Sequence, residues 1–150
     1  MNIEEVMMSN PPICEFLYEA IVDIADIQNL GQSLQGQRFI VNILGGVFNG
    51  PRLKGKVLPG GADRQLLRPD GIKELDALYE IETDDGTVIT VHNQVIVDMP
   101  TSEQRYARSV VKFRAPAGQY VWLNRRVFVG NLESLKPSRN AVKIRIFQVN

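Results

Sequence analysis

Asp63 stands three residues beyond Pro59-Gly60 in the segment Leu58-Pro59-Gly60-Gly61-Ala62-Asp63-Arg64-Gln65, and a second turn cluster, Arg68-Pro69-Asp70-Gly71, follows at once. Turn residues packed this densely fix the backbone, because glycine supplies conformations closed to other residues and proline locks its own φ. A carboxylate held at such a corner has two readings. It bonds neighbouring amides as a turn aspartate, or it is kept from bulk water and serves as a general base or ligand anchor. Asn93 and Tyr79 fall on the same parity of two adjoining strand-like runs. An inward asparagine among aliphatic residues must find hydrogen-bond partners or line a wet cavity. The pair can bind a carbonyl or phenol oxygen, or satisfy one another. Three further residues are candidate substrate contacts. Trp122 offers a stacking wall and Asn124 a hydrogen-bonding group on the even face of Tyr120–Phe128. Arg108 offers an anion anchor if its strand turns it inward, and an exposed arginine if not.

Other chemistry has no foothold. A single histidine, His92, excludes paired-histidine and three-histidine zinc sites, and parity turns it outward. No Gly-x-Ser-x-Gly elbow, GxGxxG or GxxxxGK[ST] motif is present. Gly45-Gly46 and Gly60-Gly61 lead into no helix, so they are turns rather than phosphate cradles. No metal and no cofactor is expected.

The elements that must position these residues are strands. Seventeen Lys and Arg balance seventeen Asp and Glu over 150 residues, and the one cysteine, Cys14, rules out an internal disulfide. That balance points to neither nucleic acid nor an anionic membrane. No apolar run approaches a bilayer span, and Met1-Asn2-Ile3-Glu4-Glu5-Val6 is acidic early and lacks the long apolar run of a secretory signal, so a cytoplasmic location is expected. Residues 1–12 read as a flexible leader and 13–150 as a single domain. Alternation predicts strands at Cys14–Ile24, with Phe16 on the dry face, and at Arg38–Leu44, stopped by Gly45-Gly46. Asp26–Gln37 reads as a loop. Leu75–Thr83 and Thr87–Val97 form a hairpin through Asp84-Asp85-Gly86. Thr101–Arg105 reads as a helical turn, and strands follow at Tyr106–Arg114, Gln119–Gly130 and Ala141–Val149. About eight to ten antiparallel strands with turn signals at this spacing predict an all-β fold, a closed or nearly closed barrel with an internal pocket.

Taken in order, Gly45-Gly46, Gly50-Pro51-Arg52-Leu53-Lys54-Gly55, Leu58 to Asp63, Arg68-Pro69-Asp70-Gly71, Leu75-Asp76-Ala77, Thr83-Asp84-Asp85-Gly86 and Trp122-Leu123-Asn124-Arg125 give a chain that resembles DUF3237, a bacterial and fungal domain-of-unknown-function family of small β-barrel proteins. The likeness runs from about Phe16 to the C-terminus. It implies a β-barrel, often a dimer or larger assembly, and no settled activity. The family commonly has tryptophan at Arg64, arginine at His92 and Arg-Gly at Gln94-Val95, and a longer segment between Val97 and Tyr106. Those departures are expected near the cavity and its rim.

The expectation that follows is a cofactor-independent acid–base enzyme, of isomerase, lyase or hydratase type, acting on a small, partly aromatic carbonyl or phenolic metabolite. Asp63 is its base, Tyr79, Asn93 and Asn124 hold an oxyanion, Arg108 neutralises a substrate anion, and Trp122 is a wall. The alternatives are a non-catalytic barrel that binds a small molecule and an interaction module with a filled core. The partners expected are a small molecule and further copies of the chain, as a homodimer or higher homo-oligomer.

Overall fold

The computed structural model describes residues 1–8 and 10–150. Ser9, inside the expected leader, lies outside the described residues. The leader carries a short helix, α1 (Ile3–Met8), and the regular elements described after it are ten strands and one 3-10 turn. The ten strands are β1 (Cys14–Ile24), β2 (Gln28–Ser33), β3 (Gly36–Asn49), β4 (Lys54–Val57), β5 (Ala62–Leu67), β6 (Lys73–Thr83), β7 (Val88–Thr101), β8 (Gln104–Arg114), β9 (Val127–Ser134) and β10 (Ala141–Val149). Eight close into an antiparallel barrel in the order β1, β10, β9, β8, β7, β6, β4, β3 and back to β1. β2 and β5 lie off this ring. β2 pairs with β3, and β5 fills the place beyond β4 by pairing with both β3 and β6. Closure satisfies the strand edges that an open sheet would expose.

Several local expectations are corrected. β3 is not stopped at Gly45-Gly46 but bends through them, pairing with β2 and β5 before the bend and with β1 and β4 after it. Gly46 sits at φ +151°, where an added Cβ would meet the Ile21 carbonyl oxygen at 2.1 Å. Gly46→Ala should therefore cost about 3 kcal/mol or more, read as a lower denaturation midpoint with the slope unchanged. The Asp26–Gln37 loop contains β2. Thr101–Arg105 is a strand-to-strand turn rather than a helical one. Phe16 leaves the dry face because a register shift between Phe16 and Tyr18 lets Leu17 and Tyr18 both bury.

The largest departure is Gln119–Gly130. Residues Val121–Arg125 form a 3-10 turn, and β9 begins only at Val127. Having left β8 at Arg114, the chain folds over one end of the barrel and pushes Leu123, 1% exposed, into it as a plug. Beneath that plug the rings of Tyr18, Phe48, Phe113 and Phe128 meet with centroids 4.9–6.2 Å apart. Edge-on and tilted contacts of this kind are favourable beyond the area they bury. This half of the barrel is filled; the opposite half is not.

Candidate functional site

The glycine corner builds the site. β4 and β5 are joined through a turn at Pro59-Gly60, with Gly60 at φ +107°. A Cβ on Gly61 would meet the Tyr79 Cβ at 2.4 Å, so only glycine lets this backbone lie against β6. Ile43 N–H donates to the Gly61 carbonyl at 2.9 Å, which pins the corner to β3 as well. Two residues later Asp63 enters the sheet opposite Val41 and Ala77, and Ala77 in turn faces Asn93. Asp63 and Asn93 are thus two strands apart in one cross-strand row, about 10 Å between backbones, with the small Ala77 side chain between them.

They look into a cavity of about 370 Å³ in the unfilled half of the barrel. Its wall is mainly aliphatic, from residues such as Val22, Ile43, Leu75, Val95 and Ile144, with Tyr79 towards the filled half. The polar groups are few: Asp63, Gln65, Tyr79 and Asn93 inside, and Lys73, Arg105, Ser134 and Lys136 towards the open end. Asp63 Oδ2 accepts from Gln65 Nε2 at 2.8 Å. Asp63 Oδ1, Gln65 Oε1, Tyr79 OH and Asn93 Oδ1 are all shut off from solvent and have no hydrogen-bond partner among the described residues. Four orphaned polar atoms on one cavity wall are unusual, because buried polar groups are almost always paired. Asn93→Leu removes one of them and should raise stability by about 1 kcal/mol, seen as a higher Tm, while weakening whatever the cavity binds.

Electrostatics single out Asp63. Burial raises its pKa to about 6, against the opposing pull of the Gln65 hydrogen bond, the Asp76 backbone amide and the Lys73 charge, with the Asp76 charge raising it slightly. A carboxyl group poised there exchanges protons readily near neutrality. Burial also pushes the Tyr79 phenol up, and the Asp63 charge adds to that, so Tyr79 stays a neutral donor. Tyr18 lies against Tyr79, and burial followed by this neighbour raises it further. The two phenols are electrostatically coupled but outside hydrogen-bond geometry.

The structure brings together Asp63, Tyr79 and Asn93 and separates the other three candidates from them. Arg108 lies on the outer face of β8, exposed, donating to the Ala107 carbonyl at 2.9 Å, because Ala107, Ser109 and Val111 take the inward parity. Trp122 sits at the plugged end, with the Arg52 guanidinium 4.0 Å from its ring centroid. Asn124 clasps the backbone of Ala115, accepting from its N–H and donating to its carbonyl, each at 2.9 Å. Both belong to the 3-10 turn, so the strand parity that aimed them at the cavity does not exist. His92 points outward, as parity predicts, and meets Asp76 at 2.6 Å. Arg64 and Gln94 also lie on the outside; of the family departures expected near the cavity, Val95 lines it and the segment between Val97 and Tyr106 contributes Met99 and Arg105.

Gln65 and Lys73 were legible from parity: Gln65 is two residues from Asp63, and Lys73 precedes Leu75, Ala77 and Tyr79 on one face. Arg105 shares the inward parity of Ala107 but sits beside a turn. Lys136 lies on a loop and gives no periodic signal. Among the described residues no three His, Cys, Asp or Glu side chains gather as a metal site, and no helix is long and apolar enough to cross a membrane.

A family model described as "Protein of unknown function (DUF3237)" matches residues 12–149. A UPF0311 protein of Rhodopseudomonas palustris is 34% identical over 130 residues, covering 78% of this chain and 85% of the relative. The "Hydroalkoxylation enzyme phnH" of Penicillium herquei is 30% identical over 114 residues, covering 76% of this chain and 70% of the relative. Among solved structures, a conserved protein of unknown function from Rhodopseudomonas palustris superposes with a TM-score of 0.85 at 32% identity, covering 95% of this chain and 100% of that one. An enzyme from Penicillium herquei superposes with a TM-score of 0.76 at 27% identity, covering 94% and 96%.

Proposed function

We propose that this chain, which belongs to the DUF3237 family, is a cofactor-independent acid–base enzyme of the isomerase, lyase or hydratase class, acting on a small, partly aromatic carbonyl or phenolic molecule. The observation that carries this is the set of four unpartnered polar atoms around an apolar cavity, one of them on a carboxyl group with a pKa of about 6. A ligand that pairs those atoms recovers hydrogen bonds the empty fold forgoes.

The steps use these side chains alone. Ionised Asp63 takes a proton from a carbon beside a carbonyl, or from a phenol, and the electron pair moves onto oxygen. The Tyr79 O–H and the Asn93 amide N–H donate to that oxyanion in a site where water does not compete. Protonated Asp63 then returns the proton to another atom, which completes an isomerisation, or the steps run as addition to or elimination from a double bond. Hydroalkoxylation, the reaction named for the Penicillium relative, is as a class an addition that transfers a proton from oxygen to carbon, so it falls within this chemistry. A preformed donor set and one tuned acid or base commonly contribute factors of about 10²–10⁴ each.

The test is proton exchange. In deuterium oxide, with a panel of hydroxyaryl ketones and aryl-substituted enones, the wild-type protein should place deuterium on carbon next to the carbonyl or form an isomer or adduct seen by NMR. Asp63→Asn should not. Binding of panel members with neither exchange nor product would favour the non-catalytic binding barrel instead.

A further inference from the structure

Three cations line the cavity towards its open end, and among the described residues none of them has a carboxylate within 4 Å: Lys73 on β6, Arg105 at the start of β8 and Lys136 just after β9. Among the described residues the same wall holds a single acid, Asp63. Elsewhere the carboxylates of Asp23, Glu19, Asp70 and Glu74 are each taken by an arginine or lysine. Leaving cations unneutralised beside a cavity, rather than on an open face, concentrates positive potential where a ligand must enter.

Each cation is placed by the fold. β8 and β9 pair only from Arg108↔Asn131 to Val111↔Phe128, and beyond that they part. Arg105 spans the gap by donating from one Nη to the Leu132 carbonyl at 2.7 Å, which fixes the side chain and occupies only one of its five N–H groups. Lys73 stands over the Phe39 ring at 5.7 Å. Burial lowers its pKa, the Asp63 charge opposes that, and the Lys136 charge lowers it again, so these two ammonium groups are near enough to repel. An anion between them would relieve that repulsion.

The spacing gives the ligand an upper scale. Lys73 lies four residues along β6 from Ala77, the centre of the Asp63–Asn93 row, which is about 13 Å between backbones at about 3.3 Å per residue, shortened by the reach of the side chains. Between them the wall is Leu75, Val95 and Val97. We propose that the cavity takes an amphiphilic anion: an apolar or aromatic body with a carboxylate at one end, held by Lys73, Arg105 and Lys136, its other end reaching Asp63 and Asn93. The deep end rests on the acid–base reading; the charged end stands without it.

The charged end is tested with two probes that do not react, 2-naphthoate and 2-naphthamide, titrated calorimetrically at pH 8 in low salt. The naphthoate should bind about tenfold or more tightly than the amide, and added salt should narrow the gap. In Arg105→Gln/Lys136→Gln, two exposed positions, the ratio should fall to within about threefold, with amide affinity and Tm little changed. Equal affinities in the wild type, a preference that survives in the double variant, or no naphthoate binding in the millimolar range would each overturn the proposal. Neither probe carries an exchangeable proton on carbon beside its carbonyl. Anion preference can therefore stand while Asp63 catalysis fails, and the reverse.

Discussion

Asp63→Asn is expected to lower turnover by about 10²–10⁴-fold while ligand affinity changes only a few-fold. Asparagine keeps the shape and the carbonyl acceptor that Gln65 Nε2 reaches at 2.8 Å, but it neither takes nor gives a proton. The loss should therefore appear in kcat rather than KM. The pH profile gives the direction of proton flow. With Asp63 as the base, the active form is the anion, and kcat/KM rises with pH through about 6 and then levels off. With Asp63 as the acid, the same limb falls. The variant should lack that limb in either case. Unchanged turnover, or a limb near pH 6 that persists in Asp63→Asn, would remove Asp63 from the mechanism.

The barrel and its inner surface follow from strand parity wherever pairing is regular. On β6 and β7, alternate residues aimed Tyr79 and Asn93 inward, and the structure buries both at 1% exposure. Parity says nothing once the chain leaves the sheet. The run from Tyr120 to Phe128 alternates like a strand, yet its job is to cross and plug a barrel end, so Trp122 packs half-buried over the filled core beside Phe128 and Asn124 holds the local backbone. For Arg108 alternation leaves two phases open, and the burial of Ala107 and Val111 selects the one that turns the arginine outward. Glycine was read as a stop at Gly45-Gly46, where it is a bend inside one long strand. Turn chemistry and strand bending need the same residue, and only the partner strands decide between them. At Gly61 the same residue serves a third end, close approach to Tyr79, and it is that contact which sets Asp63 beside the cavity.

A stability measurement reads the same carboxyl group without any substrate. The folded-state pKa of Asp63, about 6, lies above its ordinary value of 3.8. Between those two values the native protein therefore holds more protons than the unfolded chain, and stability must fall as pH rises across that window. Above about pH 6 the whole penalty applies: a shift of this size corresponds to about 1–3 kcal/mol, the lower part allowing for a side chain that is only partly buried. Asp63→Asn escapes it. The variant should be more stable than the wild type at pH 8, with a Tm several degrees higher, and the gap should close as the pH is taken from about 6 to 4. Other acids do not mimic this. Asp70, held down mainly by its Arg68 hydrogen bond, and Asp85, held down mainly by Thr83, lose native stability only as pH falls below the ordinary aspartate range, and they do so in both proteins. The difference curve thus isolates Asp63. A variant no more stable than the wild type at pH 8, or a gap that widens on acidification, would mean that the Asp63 carboxyl is not held out of water, and the site built around it would lose its centre.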